Sequence, residues 1–138
     1  MKVSEIMNRE VLSVTPQDRV CDVIDLFLEK NITGAPVTEQ GKVVGMISRK
    51  DILPLITTFD LECSSLEQIR RTCSNYVVDH MQGEVVTVQP VEAVERCALI
   101  MTDNSINRLP VIEDGKLVGI VTRGDILKAL AQCCLCHE

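Results

Sequence analysis

The chain has 138 residues, 46% of them hydrophobic and 25% charged, with a formal net charge of −6. This is the composition of one compact globular unit rather than a disordered segment, and the chain is short for a catalytic domain joined to a regulatory one. Its basic residues are scattered apart from Arg49-Lys50 and Arg70-Arg71, which argues against nucleic acid as a partner; with no signal-peptide core and no apolar run of about 18 residues, no membrane span is expected and the cytoplasm is the expected location.

The first predicted element is the β-branched run VLSVTP at 11–16. Thr15, Pro16 and Asp18 then suit an N-cap, a first helical position and a first turn, so a helix is expected from there. Val20, Val23, Ile24, Phe27 and Leu28 recur at helical spacing and draw one apolar stripe along it. APVTEQGKVVGMIS, at 35–48, reads as two strands around a glycine-containing hairpin turn. A second helix should start at Ser48 and run through Asp51-Ile52-Leu53, with Pro54 ending it, kinking it or sitting in the turn that follows. A connection at 57–76 follows, in which LEQIRR is a possible further helix.

The same series then returns. Shifting the sequence by 74 residues aligns Val3–Leu53 with Val77–Leu127 without a gap, including Pro36-Val37 with Pro110-Val111, Val44-Gly45 with Val118-Gly119, and Asp51 with Asp125. The second copy has VVTVQP at 85–90, a helical stripe of Val94, Cys97, Ala98 and Met101, the hairpin LPVIEDGKLVGIVT, and a last helix from Thr122. The organisation expected is a first repeat at 1–56, the connection at 57–76, a second repeat at 77–131 and a Cys-rich tail at 132–138. The fold class is α/β (α+β), each repeat running strand, helix, strand, strand, helix.

GMISRKDI and GIVTRGDI, at 45–52 and 119–126, each contain Ser or Thr three residues before an acid. That spacing is a capping box, in which hydroxyl and carboxylate each satisfy a backbone N–H at the helix start, and it stabilises a helix by about 1 kcal/mol. A cap accounts for either octapeptide alone. The density of matched positions around both asks for more.

A repeat of this length, with a Pro-Val strand, a glycine hairpin and a closing G-h-h-[ST]-x-x-D (h apolar), resembles the CBS domain family, and two copies resemble a CBS pair or Bateman module. The resemblance covers Val3 to about Leu130 and implies a pseudo-two-fold module with two clefts between the repeats. In these clefts family members bind AMP, ADP, ATP or S-adenosylmethionine, and they often pair into homodimers. It implies that Asp51 and Asp125 take ribose hydroxyls, and that Ser48 and Thr122 contact ribose or phosphate. A carboxylate has only acceptor sites and a diol two donors, so the chemistry holds on its own terms. The implied adenine pockets fall at Val14, Thr15 and Met46 in one copy and at Val88, Gln89 and Ile120 in the other, where strand packing alone also explains the apolar members. Lys50 stands beside Asp51, while Arg123 and Gly124 precede Asp125 at a helix start that favours phosphate. Arg108 stands before Leu109-Pro110 where the first copy has no cation, so the Thr122 and Asp125 copy is the better phosphate candidate. Arg108 as a solvated surface residue is the alternative.

These readings lead to a regulatory module that senses an adenosine-containing ligand and signals to an unidentified regulated protein. It needs no cofactor and is not an enzyme, since His80 and His137 have no repeated acid-base partners. One alternative is a structural dimerisation module with empty clefts. Another is redox or metal sensing through Cys133, Cys134, Cys136 and His137. Those four are zinc or copper(I) ligands in kind, but no second ligand pair faces them, and a frayed or oxidisable terminus is the favoured reading. Cys21 and Cys97 fall on helical apolar stripes and are expected to be buried thiols.

Overall fold

The computed structural model describes residues 1–57 and 75–136; the LEQIRR segment, Cys63, Cys73 and His137 lie outside the described residues. The elements are α1 (Val20–Lys30), β1 (Gly34–Glu39), β2 (Lys42–Ser48), α2 (Arg49–Thr57), α3 (Val94–Asn104), β3 (Arg108–Glu113), β4 (Lys116–Thr122) and α4 (Arg123–Cys136), with single 3-10 turns at Val3–Glu5 and Val77–Asp79. The expected mixed α/β architecture is present, each repeat contributing a helix, an antiparallel hairpin and a second helix.

Each hairpin carries the turn its sequence asks for. Gln40 and Gly41, like Asp114 and Gly115, have positive φ at both central positions, and such paired positive angles match the twist of antiparallel strands. Both hairpins also shift register at equivalent places, Val37/Thr38 and Val111/Ile112.

The expected leading strands shrink to single parallel bridges, Val14 to Val37 and Val88 to Val111. The helix start expected at Thr15 and Pro16 is also displaced, because α1 begins only at Val20. Asp18 spends its carboxylate on the Thr15 N–H at 2.8 Å and its own N–H on the Thr15 carbonyl at 3.1 Å. That closes a local turn in place of a first helical turn. Val20 then donates to the Asn75 carbonyl at 2.8 Å, and Asp18 accepts from Val77 at 2.9 Å. In α2 the chain continues helical through Pro54.

These bonds show what the repeat alignment does not. The described residues form two compact units, one of Met1–Val11 with the chain from Val86 onward, the other within Leu12–Val85. Val3 and Met7 enter the core of Val88, Val94, Cys97, Met101, Leu109, Val111, Val121 and Ile126. Val77 enters the core of Val14, Val20, Val23, Phe27, Ala35, Val37, Ile47 and Ile52, with Met81 packed against it. The opening segment of each repeat thus completes the core that holds the other repeat's hairpin.

The motif glycines make this possible. A Cβ on Gly45 would stand 2.6 Å from the Met81 sulfur and 2.9 Å from the Gln82 carbonyl oxygen, and one on Gly119 would stand 2.6 Å from the Met7 sulfur and 3.2 Å from the Asn8 carbonyl oxygen. Only a residue without Cβ lets the opening segment lie against the strand.

Cys97 is fully buried and free, as expected, and burial, with the nearby Glu92 carboxylate adding to it, pushes its thiol up to about 11. Cys21 departs from expectation: it is half-buried and disulfide-bonded rather than a buried thiol. It follows Val20 on the flank of the α1 stripe, and Val20 and Val23 fill the core instead.

Candidate functional site

Both Ser/Thr-x-x-Asp corners form where a core strand runs directly into a helix. At β4–α4, Asp125 Oδ2 accepts from the Thr122 N–H at 2.8 Å and from its hydroxyl at 2.9 Å, and the Asp125 N–H donates back to Thr122 Oγ1 at 3.2 Å. The capping box is therefore real and works in both directions here. At β2–α2, Asp51 Oδ2 accepts from the Ser48 N–H at 2.8 Å and from its hydroxyl at 3.1 Å. Both carboxylates are half-buried.

The other carboxylate oxygen separates the copies. Among the described residues nothing donates to Asp125 Oδ1, whereas Asp51 Oδ1 accepts from the Gln82 side-chain amide at 2.8 Å. Gln82 is a residue that the sequence reading missed. Its signal was present, because it aligns with Asn8 at the same distance from each motif, but only the pairing of Gln82 with Met46 and of Asn8 with Ile120 carries those residues to the strands.

Arg108 is the cross-strand partner of Thr122 in the antiparallel register, half-buried at the start of β3. Directly paired residues share a sheet face at about 5 Å between Cβ atoms, so the Arg108 and Thr122 side chains leave the sheet on the same side. The first copy has Gly34 opposite Ser48 at that place. Gly124 sits exposed in the first turn of α4, where an added Cβ would meet only Thr122 Oγ1 at 3.7 Å. It leaves the positive end of a 14-residue helix uncovered. Arg123 is exposed, and its N–H donates to the Asn107 carbonyl at 3.0 Å. In the first copy Lys50 is exposed in the equivalent turn.

The remaining candidates divide. Met46 and Ile120 are half-buried and share a strand face with Ser48 and Thr122, two residues on. Val14 and Val88 are each 5% exposed and belong to the two cores. Thr15 is held in the turn with Asp18, and Gln89 lines an open depression of about 670 Å³ with Thr87, Glu113 and Asp114. In the tail, Cys133 is free and exposed on α4, and the Cys134 and Cys136 side chains lie outside the described residues.

Comparison with known proteins follows the same lines. The CBS domain model matches residues 3–57 and again 76–132. An uncharacterised protein of Methanocaldococcus jannaschii, MJ1426, is 34% identical over 94% of this chain and 91% of its own length. MJ1232 of the same organism is 33% identical over 95% of this chain, which spans only 40% of it. Among solved structures, CBSX2 in complex with AMP superposes with a TM-score of 0.80 at 32% identity, over 96% of this chain and 97% of that one; CBSX2 is a protein of Arabidopsis thaliana. The chain belongs to the CBS domain family and contains two tandem CBS repeats.

Proposed function

We propose that this chain is a regulatory module that binds an adenosine-containing ligand, AMP, ADP, ATP or S-adenosylmethionine, and passes the signal to a regulated protein. The observation that carries the reading is the Asp125 carboxylate, with one oxygen pinned by Thr122 and the other unengaged among the described residues. An acceptor so positioned suits a ribose diol, while Arg108 and the α4 N-terminus suit a phosphate. The complex of CBSX2 with AMP supports the ligand class. Regulation then requires only that the ligand prefer one arrangement of the module over another.

The test is a thermal-shift and calorimetric titration with nucleotides. AMP at 100 times its dissociation constant should stabilise the fold by about 2.7 kcal/mol. Asp125→Ala should weaken AMP binding at least about ten-fold, since a hydrogen bond to a charged group is lost. A cap-only role predicts lost stability with unchanged affinity, and no shift with any adenosine compound at millimolar concentration sinks the reading.

We also propose that copies pair. Leu28 is 77% exposed on α1, Leu53 49% on α2, and Leu127 and Leu130 58% and 54% on α4. Apolar helix faces of this kind are commonly covered by a partner. Leu28→Glu and Leu127→Glu should shift the mass measured by light scattering from dimer to monomer.

Among the described residues no helix is long and apolar enough to cross a membrane. The proposed cytoplasmic location and the Cys21 disulfide pull in opposite directions, because disulfides are uncommon in a reducing cytosol. Non-reducing mass spectrometry of protein trapped in cells decides between them.

A further inference from the structure

The two copies hold their opening residues identically by backbone and differently by side chain. Gln82 and Met46 exchange N–H to carbonyl bonds at 2.8 and 2.9 Å, and Asn8 and Ile120 do so at 2.8 and 3.0 Å. In both, the paired residue shares its sheet face with the Ser or Thr two positions along the strand, and so with the Asp that residue holds. Gln82 is one methylene longer than Asn8. It reaches Asp51 Oδ1 at 2.8 Å, whereas Asn8 turns back and accepts the Glu10 N–H at 3.0 Å on its side-chain oxygen.

We infer that Gln82 is a built-in occupant of the first copy's diol acceptor, so that a ribose must displace its amide to engage Asp51. This rests on the reading of the Ser/Thr-x-x-Asp corners as ribose sites and adds what sets the difference between them. Each carboxylate has one oxygen committed to its cap; at Asp125 no donor among the described residues takes the other, which is left for a ligand, and at Asp51 the protein itself supplies the donor. Gln82 is exposed, so its bond resembles one made in water and is readily exchanged. The occupant therefore lowers affinity and does not abolish it, by about five-fold for a contact of this kind. Ligand concentration would then fill the Asp125 copy first and the Asp51 copy later.

The experiment has two arms, both on the full chain. Without ligand, melting temperatures of Gln82→Ala, Asp51→Ala and the double variant should show a combined loss smaller than the sum. Asn8→Ala and Asp125→Ala should add. Additivity at Gln82 and Asp51 overturns the contact.

With AMP as the probe, Gln82→Asn in a chain whose second copy is weakened by Asp125→Ala should bind at the Asp51 copy about five-fold more tightly than Asp125→Ala alone. Asn8→Gln in the otherwise unchanged chain should weaken binding at Asp125. Unchanged affinity in both swaps overturns the inference, and so does weaker binding by Gln82→Asn, which would make Gln82 a ligand contact. Failure of the unaltered chain to bind AMP or any adenosine compound is a different result. It removes the ribose-site reading, while the ligand-free arm still decides whether Gln82 holds Asp51.

Discussion

The β2–α2 and β4–α4 corners have the same backbone and different side-chain economies. Ser48 and Asp51 make a cap in one direction, with Gln82 filling the remaining carboxylate oxygen. Thr122 and Asp125 cap in both directions, with Arg108 across the strand and Gly124 in the first helical turn. The two repeats form matching frames, and a few side-chain differences leave one corner's carboxylate fully engaged and the other with an oxygen that nothing donates to among the described residues. A motif match locates such a corner, but the residues paired beside it decide which of its acceptors are already engaged.

Swaps between equivalent positions break or sharpen that comparison. The largest effect is expected at the motif glycines. Gly45→Ala drives a methyl against the Gln82 carbonyl at 2.9 Å, and should cost about 3 kcal/mol in urea unfolding, near the top of the range for overpacking. Gly119→Ala meets the Asn8 carbonyl at 3.2 Å and the flexible end of Met7, so about 1–2 kcal/mol is expected. Equal losses would mean that the backbone approach is not what separates the two.

Cys97 and Val23 form the next contrast, since they occupy the same place in the two cores. A thiol whose ordinary value is 9.0 is raised by burial to about 11 in the folded chain. Between those values the unfolded chain has lost the proton and the folded chain keeps it. Stability from this source is full below pH 9, and is lost as pH rises toward 11. Cys97→Val should change stability little at neutral pH and flatten the decline measured by urea unfolding at higher pH. The same decline in the variant would place its origin elsewhere.

The smallest effect belongs to the hairpin turns. Gln40 and Asp114 both sit at positive φ, 54° and 53°, where Asp is better tolerated than Gln. Gln40→Asp should stabilise by about 0.3 kcal/mol, and Asp114→Gln should do the reverse. Calorimetric melting of both variants checks the sign.

Much of this was legible in the sequence, for identifiable reasons. The helical stripe of Val20, Val23 and Phe27, the Gln40-Gly41 and Asp114-Gly115 turns, and the Ser/Thr-x-x-Asp corners are local patterns, and local patterns act through the backbone nearest to them. The leading strand and the helix start expected at Thr15 give way for the complementary reason. Propensity favours a helix there, but Asp18 closes a turn on Thr15, and α1 begins where Val20 meets Asn75 from a distant part of the chain.

The sequence by itself determined the duplication, the hairpins and the two carboxylates at helix starts. The last two are written in short local stretches and the first is a pattern that returns at a fixed offset, so none of the three depends on which distant backbone a segment pairs with. Tertiary structure alone decided that Val3 and Met7 serve one core and Val77 and Met81 the other, that Cys21 is bonded, and that Gln82 reaches Asp51. Those outcomes depend on which distant backbone a segment pairs with. One methylene at Gln82 acquires meaning only after that pairing has placed it on the face of the strand that carries Ser48.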